Sequence, residues 1–190
     1  FAPENYWGKF YSASAGWVIS EEDFFKIKGI DYLKLRYSAG LMGNDQFPIW
    51  AWRQRFTYEV GKGPVFGGNG NANTGMKMDR SPNRDATWSD EFKNNVGIDA
   101  RFMNNRLSLT MEGYFNKAYN ILLERLGNTP VSVGGSMAPE NYARVNTYGY
   151  EVSLGWADRI GEDFNYGINT RFAWSDLTIK HIDYNEVDQQ

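Results

Sequence analysis

The stretch of residues 94–117 constrains the fold most, because it consists of two alternating runs joined by a very short polar turn at residues 104–106. Apolar side chains occupy every second position of both runs. Alternation with a period of two, interrupted by a turn signal, predicts a β-hairpin with one apolar face and one wet face. The wet face carries three charged residues in the middle of its strands: Asp99, Arg101 and Glu112.

The same alternation recurs in four further runs, at residues 10–19, 32–42, 148–156 and 164–174. Together with the hairpin they predict about six antiparallel strands and no amphipathic helix of useful length. We also expect Ser20 to cap one helical turn, and residues 49–60 to form a strand extension within a loop. Two long segments rich in Gly, Asn and Pro, residues 43–87 and 121–145, are predicted loops.

Loop length indicates where these strands lie. Short connections at residues 23–31, 104–106 and 158–163 alternate with the two long loops, so all short turns fall at one edge of the sheet. Outer-membrane barrels have short periplasmic turns and long extracellular loops. A strand of ten residues at ~3.3 Å per residue and a tilt of ~40° covers about 25 Å, which matches the apolar band of such barrels.

A sheet in lipid must close on itself, because no backbone polar group can stay unpaired there. A transport barrel with a plugged lumen needs about 22 strands. The predicted fold is therefore all-β, an antiparallel segment of a transmembrane β-barrel. The chain opens with FAPENYWGKF, without an initiator Met or a signal segment, and we expect residues 1–190 to be part of one barrel domain of a longer protein.

Composition narrows the function classes. The aromatic content of 16%, with 7 Trp, is typical of interfacial girdles or of sugar-stacking surfaces. The chain has no cysteine, which excludes disulfides and thiolate chemistry. A net charge of −3 argues against a nucleic-acid partner. No apolar run approaches the ~20 residues of a transmembrane helix, although a membrane strand would escape that test.

Four stretches carry a family resemblance and cover most predicted strands: ENYWGKFYSASAGWVISEEDFF (4–25), LKLRYSAGLMGND (33–45), TWSDEFKNNVGIDARFMNNRLSLTMEGYFNK (87–117) and NTYGYEVSLGW (146–156). In combination they resemble the barrel of the SusC-like TonB-dependent transporters of the Bacteroidetes. The resemblance implies a large outer-membrane importer with a plug domain, driven by TonB and capped by a SusD-like surface lipoprotein. The two long loops are unmatched.

The implied cargo is a glycan or a peptide, and the implied protein is not an enzyme and needs no cofactor. Two alternatives stay open from the residues alone. One is a passive outer-membrane porin, which needs no plug and no TonB. The other is a soluble carbohydrate-binding β-sandwich, which the aromatic content favours.

Seven charged residues on the polar positions of the strands are predicted to face the lumen, where they contact cargo or plug: Lys34, Arg36, Asp99, Arg101, Glu112, Glu151 and Arg171. The alternative is a solvated interior in which neighbouring strands pair opposite charges, each pair contributing ~0.2–1 kcal/mol. Asp99, Arg101 and Glu112 share one face and are predicted to form an ion-pair cluster.

Aromatic residues of the first long loop are predicted to contact cargo or the lipoprotein, or alternatively to pack within the loop: Trp50, Trp52, Phe56 and Tyr58. Three tryptophans near predicted strand ends are expected to be interfacial anchors: Trp17, Trp156 and Trp174. We expect no metal or catalytic site. Asp79, Asp85 and Asp90 do not have EF-hand spacing, and His181 is the only histidine.

Overall fold

The computed structural model describes residues 1–68, 70–125 and 135–182. These ranges contain eight strands: β1 (Ser12–Val18), β2 (Ile30–Asn44), β3 (Arg55–Glu59), β4 (Gly75–Arg80), β5 (Ser89–Phe102), β6 (Leu107–Leu123), β7 (Glu140–Ile160) and β8 (Phe164–His181). Six of them form one antiparallel sheet, which is the predicted number of strands. Their order is β1-β2-β5-β6-β7-β8, and β3 pairs only with β4.

The predicted hairpin is the pair β5 and β6, which is joined by residues 103–106. Met103, Asn104 and Asn105 adopt left-handed backbone conformations there, with φ of 58°, 56° and 61°. Asparagine tolerates this region better than most residues, which explains the two adjacent asparagines. The turn is fastened to its neighbour, since the Asn105 N–H donates to Asp31 Oδ2 at 2.9 Å.

Several strands are longer than the ten residues expected. β6 has 17 residues and β7 has 21, and both run into the predicted second loop. After a bulge, Ile121 pairs with Ala143 and Leu122 with Asn141, so the ladder continues through residues that lack clean alternation. At ~3.3 Å per residue such strands exceed a band of about 25 Å and extend past it. Residues 126–134 of this loop lie outside the described ranges.

Two local predictions are wrong. Ser20 does not cap a helix: the short 3-10 turn Ile19–Glu21 follows Val18 without a side-chain cap bond, and Ser20 Oγ is buried without a hydrogen-bond partner. The expected strand at residues 49–60 is reduced to Arg55–Glu59. Trp50, with φ of 60°, lies in a turn closed by the Ala51 N–H donating to Pro48 O, and this turn delays the start of the strand.

The alternation of polar and apolar residues is preserved across all six strands of the main sheet. We call a row of register-paired residues a rung. One rung of the apolar face consists of Trp17, Leu35, Ile98, Met111, Val152 and Phe172. The neighbouring rung of the polar face consists of Gly16, Arg36, Gly97, Glu112, Glu151 and Ala173.

The main sheet is a single layer. Among the described residues no large side chain is fully buried, and the buried hydrophobic residues are all alanines. Apart from Ala100, these alanines lie at the long-loop edge, where residues 1–11 pack against the loops. A β-sandwich requires a second sheet over the apolar face, and the described part of the chain provides none. The described ranges also include no helix with the length and apolarity to cross a membrane.

Candidate functional site

Six of the seven charged candidates lie together on two adjacent rungs of the polar face. One rung holds Lys34, Asp99 and Arg171, and the next holds Arg36, Glu112 and Glu151. We call these six residues the charge cluster. It contains three cations and three carboxylates in mid-sheet, because the strand register brings together residues that are far apart in the sequence.

Arg36 is the centre of the ion pairs in the charge cluster. Its Nε donates to Asp99 Oδ2 at 2.7 Å, and its Nη2 donates to Glu112 Oε1 at 2.7 Å. Thr110 Oγ1 also donates to Asp99 Oδ1 at 3.1 Å, which fixes the carboxylate. The three strands β2, β5 and β6 are thereby connected through one guanidinium.

The prediction that Arg101 forms the ion pairs with Asp99 and Glu112 is wrong, because Arg36 forms them. Arg101 lies one rung closer to the short turns, opposite Tyr32, and its Cζ is 5.0 Å from the centre of the Tyr32 ring. The register between β2 and β5 decides the outcome, because it aligns Arg36 with Gly97. Those two strands are separated by a long loop, so the sequence carries no local signal for their register.

The charge cluster retains binding capacity. Glu151 pairs in register with Glu112, so two carboxylates are opposite each other. Among the described residues Lys34, Glu151 and Arg171 form no ion pair. The Arg36, Asp99 and Glu112 side chains are 33%, 28% and 31% exposed, so solvent screens their attraction and each pair contributes only ~0.2–1 kcal/mol. The polar face therefore presents both signs of charge to a partner.

The loop aromatics form two separate groups. Trp50 and Trp52 lie 6.3 Å apart between ring centres, and the Arg53 guanidinium lies 4.7 Å and 4.6 Å from those centres. One face of each ring is therefore already covered within the loop. Phe56 and Tyr58 lie on β3 instead, 52% and 73% exposed.

The hairpin of β3 and β4 is amphipathic. Phe56 pairs with Met78 and Tyr58 with Met76 on one face, and the other face carries ion pairs. Lys77 Nζ lies 2.7 Å from Glu59 Oε1, and Arg55 Nη2 lies 2.9 Å from Asp79 Oδ2. The hydrogen bond from Lys77, together with that from Lys62, holds the pKa of Glu59 below its usual value. On the apolar face Phe56, Tyr58 and Met76 are exposed, whereas Met78 is half-buried.

The remaining candidates are dispersed. Trp17 and Trp156 lie on the apolar face toward the short-turn edge, and Trp17 Nε1 donates to Glu22 Oε1 at 2.9 Å. Trp174 is not near a strand end as predicted, because β8 continues to His181. Within the described ranges no group of three or more acidic, histidine or cysteine residues is arranged to hold a metal.

Comparison with known proteins identifies relatives that match more than nine-tenths of the chain. It is 29% identical to the TonB-dependent receptor P39 of Formosa agariphila over 96% of its length, and 26% identical to the TonB-dependent receptor SusC of Bacteroides thetaiotaomicron over 92%. The chain spans 17% of the length of each relative. No family model matches.

The fold is similar to a segment of a solved structure, the RagAB peptide importer in its closed-closed state. The TM-score is 0.79 at 20% identity, and the match covers 97% of this chain and 19% of that one. These findings confirm the predicted resemblance to SusC-like TonB-dependent receptors. They also confirm the fold class, an antiparallel all-β segment of a transporter barrel. Closure of the barrel and its strand number stay predictions.

Proposed function

We propose that the chain is part of the barrel wall of an outer-membrane, TonB-dependent importer of a nutrient, either a glycan or a peptide. Residues 1–190 belong to one barrel domain, and the plug and remaining strands lie elsewhere in the full-length protein. A SusD-like surface lipoprotein and TonB are its partners. This activity concerns the whole protein, and the relatives named above support it by similarity.

The single observation that supports this proposal best is the two-faced, one-layer sheet. Its apolar face has large exposed side chains and no covering layer in the described ranges, which suits contact with lipid chains. Its polar face carries the charge cluster in mid-strand, which suits a water-filled lumen. We therefore assign the charge cluster and Arg101 to the lumen, where they contact cargo or plug.

The long-loop edge is the extracellular end in this proposal. The apolar face of the β3 and β4 hairpin, with the exposed residues Phe56 and Tyr58, then meets the lipoprotein or the cargo. In this proposal Trp50, which is 54% exposed, takes part in the same contact. Trp52 contributes from a half-buried position, because the Arg84 guanidinium lies 5.9 Å from its ring centre in addition to that of Arg53. The short turn at residues 103–106 is periplasmic.

The experiment is genetic and uses the full-length gene in its own host. Deletion of the gene is expected to abolish growth on one glycan or peptide source, and deletion of TonB is expected to have the same effect. Complementation with the intact gene restores growth. A variant that lacks the TonB-contacting segment does not restore growth, although it still reaches the outer membrane.

Each rival makes a different prediction, the porin in these growth experiments and the soluble domain when the 190-residue chain is produced alone. A passive porin would restore growth without the TonB-contacting segment. A soluble carbohydrate-binding domain would yield a monodisperse 190-residue chain without detergent, whereas a wall segment aggregates when it is produced alone. Either result would reject the proposal.

A further inference from the structure

A groove of about 860 Å³ lies on the polar face, on the long-loop side of the charge cluster. Two successive rungs contribute polar residues to its lining, one with Ser14, Ser38, Asn95 and Tyr114, and the next with Asn116 and Thr147. Apolar residues, among them Phe10, Leu41 and Met42, complete the lining. In the proposed orientation it lies between the extracellular loops and the charge cluster. Cargo that enters from outside passes this groove first.

Tyr114 of β6 is an aromatic residue that lines the groove. A Cβ added at Gly149 would meet the Tyr114 hydroxyl oxygen and Cζ within 2.7 Å, so the Tyr114 side chain lies across the neighbouring strand β7. The same Cβ would also meet the backbone oxygen of Trp174, so only a glycine fits at position 149. The Tyr114 side chain is thereby directed along the wall toward β7 while it lines the groove.

Several polar side chains of the groove are neutral and have unused hydrogen-bonding capacity. Five hydroxyl and amide side chains form no side-chain hydrogen bond within the described ranges: Ser14, Ser38, Asn95, Asn116 and Thr147. Each of them can both donate and accept. The charged Lys93 at the rim is paired with Glu91 at 3.3 Å, so the groove has little net charge.

We propose that this groove is a cargo subsite for an uncharged, polyhydroxylated unit, such as one neutral sugar residue of an oligosaccharide. The apolar face of a pyranose ring stacks on Tyr114, while its hydroxyls bond the amides and hydroxyls around it. A peptide would leave its charged groups without partners here, and the charge cluster would suit them better. The inference rests on the proposed import function and decides between its two cargo classes.

The test uses the purified full-length receptor and two probes: an array of neutral oligosaccharides and a pool of short peptides of mixed sequence. The intact receptor is expected to bind at least one neutral oligosaccharide. Tyr114→Ala is expected to weaken that binding about tenfold, and Tyr114→Phe to stay within about threefold, because the ring face carries the contact.

A matched pair of polar-face substitutions tests the hydrogen bonds. Asn116→Leu removes a groove amide and is expected to weaken oligosaccharide binding about fivefold or more. Asn169→Leu makes the same change on the short-turn side of the charge cluster and should leave binding unchanged. Retained heat-modifiable gel mobility establishes that each variant is folded.

Three results would overturn the subsite. The receptor could bind peptides only, it could bind neither probe, or the Tyr114→Ala variant could bind oligosaccharides as tightly as the intact receptor does. The import function is judged separately by the TonB deletion. TonB-dependent growth on peptides alone would reject the subsite and keep the importer. Oligosaccharide binding that needs Tyr114, without TonB-dependent growth, would reject the importer and keep the subsite.

Discussion

Arg36 reaches Glu112 by lying across Gly97. The three residues occupy one rung on three adjacent strands, and a Cβ at position 97 would be 2.9 Å from Arg36 Cζ. Gly97 is buried beneath the guanidinium although the polar face is otherwise open. A glycine in the interior of a strand normally weakens the strand. Gly97 has a packing role there, because it leaves room for the Arg36 guanidinium. It lets one cation connect carboxylates on two strands.

Gly97→Ala is therefore expected to displace the Arg36 side chain and to break its bond to Glu112. The free energy of unfolding of the full-length receptor in lipid vesicles should fall by about 0.5–1 kcal/mol, the scale of a solvent-exposed charged pair. The same substitution in a Glu112→Gln background should cost less, because the bond is already weakened. The double-mutant cycle measures this difference directly.

The control for that cycle is Gly113→Ala. Gly113 is also a mid-strand glycine, but it lies on the apolar face, and no atom lies within 4 Å of an added Cβ. An alanine there should be neutral or slightly stabilising. Equal destabilisation by the two substitutions would show that backbone flexibility, and not the Arg36 contact, explains the role of Gly97.

The assignment of faces predicts opposite outcomes for two adjacent residues of β6. Leu109 pairs with Ala100 and Leu154 on the apolar face, and Leu109→Arg should cost ~2–4 kcal/mol near the bilayer midplane. Thr110 faces Asp99 on the polar face, so Thr110→Arg gains a carboxylate partner and should be tolerated. Heat-modifiable gel mobility of the full-length protein compares the folding of the two variants. If Thr110→Arg were the more destabilising substitution, the polar face would be the one in contact with lipid and the apolar face would line the lumen.

Asn141 holds the long-loop edge together. Its Oδ1 accepts from the Thr87 N–H at 2.9 Å, and its Nδ2 donates to Thr87 O at 2.9 Å and to Asn120 O at 2.8 Å. Asn141→Leu keeps the volume and leaves the Thr87 N–H unsatisfied. One lost amide bond of about 1 kcal/mol should speed amide exchange at Thr87 about fivefold.

Hydrogen exchange by mass spectrometry on the full-length receptor checks this expectation. Asn146→Leu is the control, since Asn146 lies on the same strand and its side chain makes no hydrogen bond within the described residues. Unchanged exchange at Thr87 in Asn141→Leu would mean that the loops are held by other contacts, such as the Trp88 Nε1 donating to Asn5 O.

The main sheet could be predicted because its signal is local. Strand alternation and the residue 104–106 turn are each readable within a few residues, and both are present in the structure. The ends of β6 and β7 could not be predicted from the sequence, because the two strands pair beyond their alternating part through a bulge near Ile121. There the partner strand, and not the local sequence, maintains the extended backbone.

The candidate site was predictable in composition but not in geometry. Alternation assigns Arg36, Asp99 and Glu112 to one face, yet only the register across a long loop shows that Arg36 and not Arg101 binds the carboxylates. The sequence did not indicate that Tyr114 lines a groove, for a similar reason. Its orientation depends on Gly149, a residue on another strand.

The β3 and β4 hairpin is predicted to respond to pH through Glu59. Lys77 and Lys62 lower the pKa of Glu59 below its ordinary value of 4.5, so this carboxylate stabilises the hairpin above that value. The stabilisation is lost as pH falls through the lowered pKa. Glu59 in turn raises the pKa of Lys77 above 10.5, and that contribution is lost only as pH rises through the raised value. The pairing is therefore fully present from about pH 4.5 to about pH 10.5.

A nitroxide label at Val60→Cys, in a cysteine-free full-length receptor, reports hairpin mobility by electron paramagnetic resonance. Mobility should be constant from neutral pH to about pH 4.5 and should increase below it. In Glu59→Gln the label should be mobile already at neutral pH and insensitive to acid. A label at Ala157→Cys, at the short-turn edge, should not respond in this range. An unchanged acid response in Glu59→Gln would assign the effect to another group, because the ion pair with Lys77 could then not be its cause.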